Sequence, residues 1–337
     1  MKILLTTDNS PCSELALQEV IRRPWPPDTE VRVLSVANAL PLVPEPTLMG
    51  VGLHYYSLDQ EQKHAAHAVS TAVNELVYRC DVVYHLAAAV GVRLIVEQPV
   101  RTLVTNVQGT EVVLDQCNRF GRRVLIASTS EVYGDHREEV ALDENARRIY
   151  GPTTQRRWAY ADSKAMDEFL ALAHHHERGL DCVIARLFNT VGPRQSGQYG
   201  MVVPNFVANA VAGRPLQIHG DGTQTRCFCH VADTIGALRG LMERGSAGEI
   251  FNVGSQERIS IGDLATKVLA LTESSSELEY VPYDQVYAEG IEDMLHRMPA
   301  IGKIRDAIGW EPTRSLDEIL ADVLAYVRAT SEVSGAV

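Results

Sequence analysis

The sequence predicts an α/β fold, a doubly wound parallel sheet with a smaller C-terminal lobe. From Asp81 onward, short apolar strands alternate with long amphipathic helices, which is the pattern of a parallel sheet covered on both faces. After Asn189 the chain becomes rich in glycine and proline, and its elements become shorter, as expected of a second lobe. The 337 residues correspond to about two domains.

The opening residues predict a strand, a helix and a second strand. Ile3–Leu5 is a short apolar run, and a helix is expected over Cys12–Arg23, where a proline stops it. Val31–Val36 is the next strand. A loop rich in proline and glycine at 40–53 then precedes a long helix over about 57–77.

The middle of the chain predicts the rest of the sheet. Three buried strands are expected, at 81–88, 122–128 and 181–188. Two helices separate them, at Val100–Phe120 and Trp158–Glu177. Because parallel strands need right-handed crossovers and cover on both faces, we expect one continuous sheet that includes the opening strand.

The composition excludes several classes of protein. Hydrophobic residues make up 45% and charged residues 22%, so the chain is globular rather than disordered. The net charge of −12 repels phosphate backbones, so we expect no nucleic-acid partner. No apolar run has the length of a membrane span or a signal peptide. Six scattered cysteines predict reduced thiols, no metal site and a cytoplasmic location.

The strongest chemical signal is Tyr160 with Lys164, which lie one helical turn apart on one face. An ammonium beside a phenol lowers the pKa of the phenol and makes it a usable base near neutral pH. Upstream, a strand ends in the string STSEVYG at 128–134. Ligands bind at the carboxyl ends of parallel strands, so the two motifs together are more specific than either alone.

The segment from about Tyr78 to Arg328 resembles the extended short-chain dehydrogenase/reductase family of nucleotide-sugar epimerases, dehydratases and decarboxylases. The resemblance is carried, in family order, by DVVYHLAA, TNVQGT, STSEVYG, Tyr160 with Lys164, RLFNTVGPR, GDGTQTRCF and IFNVGS. It implies a Rossmann-like sheet, NAD as cofactor, a UDP-linked nucleotide sugar as substrate and a homodimer. It also implies chemistry through a 4-keto intermediate.

The resemblance implies a role for each matching residue. Tyr160 would take the proton from the sugar 4-hydroxyl, Lys164 would lower its pKa and hold the nicotinamide ribose, and Thr129 would hydrogen-bond the 4-oxygen. The residues expected at the cofactor besides Tyr160 and Lys164 are Ala87, Ala88 and Asn106. Those expected at the substrate are Ser130, Asn189, Arg194, Arg226 and Arg297. For the three arginines a surface salt bridge is the alternative interpretation.

Glu131 distinguishes among members of the family. Oxidation and reduction at C4 are enough for 4-epimerisation, whereas chemistry at C5 or C6 benefits from a further acid or base. The string Thr-Ser-Glu resembles UDP-glucuronate decarboxylases and GDP-mannose dehydratases. The segment HLAAAVGV departs from the usual decarboxylase sequence, which leaves a plain 4-epimerase as an alternative. A solvated or structural carboxylate is the other interpretation of Glu131.

The family's glycine-rich turn, G-x-x-G-x-x-G, is missing after the first strand, and no glycine precedes Gly50. Such glycines let the backbone approach a pyrophosphate at a helix N-terminus. Here Asp8 adds a carboxylate and Pro11 removes a backbone donor, and Ser10 and Ser13 compensate only partly. We therefore expect weak NAD binding.

Residues 1–77 resemble the first half of a universal stress protein, in KILLTTDNSPCSELAL, RRPWPP and EVRVLSV. That resemblance places Asp8 near an adenine, although the nucleotide motif of that family's second half is absent. A non-catalytic fusion, at most a nucleotide-binding protein, is therefore the rival hypothesis. The predicted divisions are a stress-protein-like segment at 1–77, a catalytic region at 78–190, mainly a substrate lobe at 191–330 and a tail at 331–337.

Overall fold

The computed structural model describes residues 2–7, 30–35, 73–90, 95, 98–195, 197, 200–286 and 294–334. The strands within these ranges are, in chain order, β1 (Lys2–Thr7), β2 (Glu30–Ser35), β3 (Val82–His85), β4 (Arg123–Thr129), β5 (Ala141–Leu142), β6 (Cys182–Leu187), β7 (Thr190–Val191), β8 (Leu216–His219), β9 (Thr225–Cys227), β10 (Cys229–His230), β11 (Glu249–Val253), β12 (Arg258–Ser260), β13 (Leu278–Val281) and β14 (His296–Pro299).

The helices bounded within the same ranges are α1 (Pro99–Phe120), α2 (Trp158–Arg178), α3 (Val202–Val211), α4 (Val231–Arg244), α5 (Ile261–Thr272), α6 (Tyr283–Val286), α7 (Gly302–Ile308) and α8 (Leu316–Ser334). Residues 73–78 are also helical. The helix predicted over Cys12–Arg23 and the loop predicted at 40–53 lie outside the described residues. No described helix combines the length and the hydropathy needed to cross a lipid bilayer.

One six-stranded parallel sheet forms the centre of the molecule, in the order β11-β6-β4-β3-β1-β2. The opening strand β1 pairs on one side with β2 and on the other with β3, so that Ile3 lies opposite both Val31 and Val82. Strands β3, β4 and β6 continue the same sheet. The prediction of one continuous sheet that includes the opening strand is confirmed.

Both faces of the sheet are covered because alternate side chains point to opposite sides. On one face Val124 packs with Leu114 of α1 and Ala171 of α2. On the other face Leu125 packs with Leu241 of α4. Double burial explains why these strands are almost wholly apolar.

The ends of the two long helices follow from local chemistry. Pro99 stands in the first turn of α1, where a missing N–H costs nothing because the helix leaves that donor unpaired. Gly121 and Gly179 follow the two helices with left-handed φ angles of 60° and 71°, which glycine adopts without steric cost. The structure thus places α1 and α2 where the sequence predicts them.

A second hydrophobic core lies under the C-terminal lobe. It joins helices α3, α5 and α8 through buried residues that include Phe206, Leu264 and Ile319. The C-terminal part of the chain also contributes a strand to the main sheet, because β11 pairs with β6 at the edge of that sheet. The domain boundaries at 77, 190 and 330 stay predictions.

Candidate active site

A cavity of about 460 Å³ lies between the carboxyl ends of the sheet strands and the second lobe. Thr129 at the end of β4 and Tyr160 in the first turn of α2 form part of its wall, and Phe206 and Phe228 contribute from the lobe side. A volume of this size is typical of small-molecule sites. The fold therefore brings the two separate sequence motifs to one cavity.

Thr129 connects the strand end to the predicted base. Its backbone is extended, and its Oγ1 accepts a hydrogen bond of 3.3 Å from the Glu131 backbone N–H, which caps the 3₁₀ turn at Ser130–Tyr133. The Thr129 hydroxyl is near the Tyr160 phenol and favours its ionised form. Tyr160 is 7% exposed, and both residues line the cavity.

Glu131 lies in a cluster of guanidinium groups on the cavity wall. Arg157 Nη1 donates to Glu131 Oε2 at 2.7 Å, and Arg297 Nη1 lies 3.6 Å from Oε1. Burial raises the pKa of Glu131, but the charges of Arg157, Arg297 and the more distant Arg226 outweigh it and hold the pKa below its usual value. Glu131 is therefore an ionised, partnered carboxylate rather than a solvated one.

The expected substrate residues meet around Arg297. Its Nη1 donates to Ser130 Oγ at 3.4 Å, and its Nη2 donates to Asn189 Oδ1 at 3.1 Å. Asn189 in turn donates through Nδ2 to the Cys227 carbonyl at 3.0 Å. Arg226 lines the same cavity and donates to the Thr225 carbonyl at 2.8 Å. Ser130, Asn189, Arg226 and Arg297 thus share one wall.

Lys164 lies one helical turn after Tyr160 in α2, and its ammonium is paired with a buried carboxylate. It is 2% exposed, and its Nζ donates to Asp167 Oδ2 at 2.6 Å. Burial, followed by the charges of Glu131 and Asp167, raises the pKa of Tyr160 well above its usual value. The lowering of that pKa by Lys164 stays a prediction, and in the structure its ammonium is engaged by Asp167.

The residues expected at the cofactor lie behind the cavity. Asn106 is 2% exposed, its Oδ1 accepts from the Ala89 N–H at 2.7 Å, and its Nδ2 donates to Ser163 Oγ at 3.0 Å. Ser163 Oγ then donates to the Tyr160 carbonyl at 2.7 Å. Asn106 thereby ties the segment after β3, which contains the small residues Ala87 and Ala88, to the helix that carries the predicted base.

Arg194 is not among the described residues that line the cavity, and one residue that lines it was missed. Arg194 has a left-handed φ of 72°, and its contact with the substrate stays a prediction. Arg157 was not predicted, although its position three residues before Tyr160 places it on the same side of the chain. The residues Asp8, Ser10, Pro11 and Ser13, on which weak NAD binding depends, lie outside the described residues.

Comparison with known families gives a match over most of the chain. Residues 58–323 match the family model described as GDP-mannose 4,6 dehydratase. A UDP-N-acetyl-alpha-D-glucosaminuronate decarboxylase from Bacillus cytotoxicus is 37% identical over 258 residues, which cover 76% of this chain and 79% of the relative.

Solved structures of nucleotide-sugar enzymes superpose on the whole chain. A dTDP-glucose 4,6-dehydratase from Streptomyces venezuelae, solved with NAD, is 25% identical with a TM-score of 0.78 and covers 99% of this chain and 98% of its own. A UDP-glucose 4-epimerase from Thermotoga maritima, solved with UDP-glucose, is 24% identical with a TM-score of 0.78 and covers 98% of this chain and 100% of its own. The epimerase shows the shared fold.

Proposed function

The chain belongs to the GDP-mannose 4,6-dehydratase-like family of extended short-chain dehydrogenases/reductases, and on this premise we propose that it decarboxylates a UDP-linked uronate. The cluster of Arg157, Arg226 and Arg297 around Glu131 carries this proposal. Three guanidinium groups against one carboxylate leave local positive charge in a protein of net charge −12. A substrate with both a diphosphate and a carboxylate suits that charge.

NAD is the expected cofactor, and the residues beside Tyr160 fit it. Tyr160 and Lys164 provide a hydroxyl and an ammonium for a ribose, and Ala87 and Ala88 leave room because their side chains are small. Asn106 holds that segment in place. When bound, NAD supplies the acceptor for the hydride that leaves C4 of the sugar.

The protein residues then account for the proton and charge movements. Tyr160 takes the proton of the 4-hydroxyl while Thr129 holds the oxygen. The resulting ketone makes the C6 carboxylate a β-keto acid, so the C5–C6 bond breaks, carbon dioxide leaves and the electron pair reaches the C4 oxygen. Tyr160 and Thr129 stabilise that oxygen, and Glu131, ionised at rest because of its arginines, relays a proton from the solvent to C5. Tyr160 then returns its proton to the C4 oxygen as the hydride returns to C4, which closes the cycle.

The substitution Glu131→Gln tests the reaction. We expect the variant to reduce bound NAD with substrate, seen by nucleotide fluorescence, but to form no product. Glu139→Gln is the matched control, because Glu139 is an exposed carboxylate paired with Arg258. Unchanged turnover of Glu131→Gln with a 4-epimer as the product would instead identify a 4-epimerase, the alternative that the segment HLAAAVGV leaves open.

A second candidate is a non-catalytic fusion that binds an adenine nucleotide. It rests on the likeness of residues 1–77 to the first half of a universal stress protein. We keep the prediction that NAD binds weakly, with a dissociation constant on the order of millimolar. Denaturing the purified protein and identifying any released nucleotide tests both. Stoichiometric NAD contradicts weak binding, and ATP supports the fusion.

We further infer a cytoplasmic homodimer. Among the described residues, Cys117, Cys182, Cys227 and Cys229 are thiols outside any disulfide, in keeping with a reducing compartment. Helices α1 and α2 pack together and leave Val100, Met166 and Phe169 exposed by 74%, 48% and 59%, which suits a second copy of the chain. Light scattering during size-exclusion chromatography tests this, and Phe169→Glu is expected to give monomers.

A further inference from the structure

One face of helix α2 carries Tyr160, Lys164 and Asp167 in a single stripe. Residues four and three positions apart are neighbours on a helix, so Lys164 stands between the phenol and the carboxylate. Long helical side chains lean toward the N-terminus, which would direct Lys164 toward Tyr160. In the structure its Nζ instead reaches the following turn and donates to Asp167 Oδ2 at 2.6 Å.

The surroundings of Asp167 favour this ion pair. Asp167 is 0% exposed, and the nearby Thr110 hydroxyl of α1 favours the ionised form of its carboxylate. Thr110 Oγ1 is in turn 3.0 Å from Nε2 of His85, whose pKa burial and the Lys164 charge lower to about 3. Lys164 is therefore the cation that compensates the buried carboxylate, since the neighbouring histidine is neutral.

We propose that Asp167 is a positioning residue that holds the Lys164 ammonium away from the Tyr160 phenol and so limits how strongly Lys164 activates the base. The proposal rests on the proposed role of Tyr160 as the base. The other groups that face the phenol are Glu131, Arg157 and Thr129. Of these, Glu131 opposes ionisation of the phenol, whereas Arg157 and Thr129 favour it.

Nitration of tyrosine tests the proposal because the reagent attacks the phenolate and Tyr160 lines an open cavity. The protein is treated with tetranitromethane at one mildly alkaline pH, without cofactor or substrate, and each site is followed by peptide mass spectrometry. In Asp167→Asn we expect Tyr160 to react about tenfold faster than in the wild type. This corresponds to a fall of about one unit in its pKa.

Three controls are built into the chain. Asp162→Asn removes an exposed carboxylate from the same helix and is expected to leave the rate unchanged. Tyr78 and Tyr280, exposed by 62% and 54%, give the reference rate in every sample. Tyr133 is 0% exposed, so its nitration reports unfolding. If it reacts in Asp167→Asn, then Asp167→Ala, which adds no amide to the buried site, replaces that variant.

The double variant Asp167→Asn with Lys164→Met separates the two ways in which Asp167 acts on Tyr160. If Asp167 acts by holding Lys164, the tenfold increase is lost when the ammonium is absent. An increase that survives in the double variant assigns the effect to the charge of Asp167 alone and overturns the proposal. Equal rates in Asp167→Asn and Asp162→Asn would also overturn it. Because no turnover is measured, either result is independent of whether the protein decarboxylates a sugar.

Discussion

The two sides of Tyr160 each hold one carboxylate, with opposite electrostatic outcomes. On the cavity side, guanidinium groups from Arg157, Arg226 and Arg297 hold the pKa of Glu131 below its usual value despite burial. On the buried side, burial raises the pKa of Asp167, and Lys164 offsets only part of that rise. The comparison shows that the number of cations, rather than burial alone, decides the direction of the shift.

The largest expected effect, a loss of product formation, comes from substituting Tyr160, which lies between the two carboxylates. Tyr160→Phe keeps the ring and removes the proton acceptor, so product formation should fall by about 10³-fold. The measurement is kcat/KM for product formation together with the rate of nucleotide reduction. Tyr280→Phe, at an exposed position, should behave like the wild type. Activity of Tyr160→Phe within tenfold of the wild type would remove Tyr160 from the proposed chemistry.

The next largest effect is expected on the cavity side of Tyr160, from the substitution Arg157→Gln, which removes the ion pair with Glu131. The Arg157 and Glu131 side chains are 6% and 16% exposed, and removing Arg157 leaves the buried carboxylate with the longer contact to Arg297 at 3.6 Å in place of a direct hydrogen bond. We expect the free energy of unfolding in urea to fall by about 3 kcal/mol. Arg148→Gln breaks the exposed pair with Asp162 and should cost below about 1 kcal/mol.

Adding Glu131→Gln to the Arg157→Gln variant should restore much of this loss, because the buried carboxylate that lost its hydrogen bond is then replaced by a neutral group. A double variant that is no more stable than Arg157→Gln would show that the arginine acts through packing instead of charge.

The smallest effect is the pH dependence of stability, which should have opposite signs on the two sides. Because the folded pKa of Glu131 is lowered, its stabilising contribution is complete above the ordinary value of 4.5 and is lost as the pH falls through the folded pKa. The difference in unfolding free energy between the wild type and Glu131→Gln should shrink over that range.

Asp167 should give the reverse slope. Its folded pKa is raised above 3.8, so the folded state binds its proton first and the wild type gains stability relative to Asp167→Asn as the pH falls through the folded pKa. Thermal denaturation at a series of pH values measures both slopes. Parallel slopes would mean that the two carboxylates share one environment and that the comparison fails.

The sequence alone predicted much of the fold and of the site. Apolar strand patterns placed β3, β4 and β6 in one sheet, and helix spacing put Tyr160 and Lys164 on one face. Thr129 was predictable because the end of a parallel strand is where ligands bind. Arg157 was missed because it is the second of two consecutive arginines just before a helix. Such a pair can equally lie on the surface, so the sequence does not identify it as a site residue.

The amino-acid sequence by itself determined which segments are strands and helices, because periodicity and turn spacing are local properties, and it supplied the motif to which the chemistry is proposed to belong. Only the tertiary structure decided the charges around Tyr160. Arg297 comes from β14 and Glu131 from the turn after β4, and their 3.6 Å approach depends on how the second lobe folds over the sheet. The Lys164–Asp167 pair likewise forms because packing excludes water from both groups. Electrostatic effects depend on distance and burial, which the order of residues does not specify.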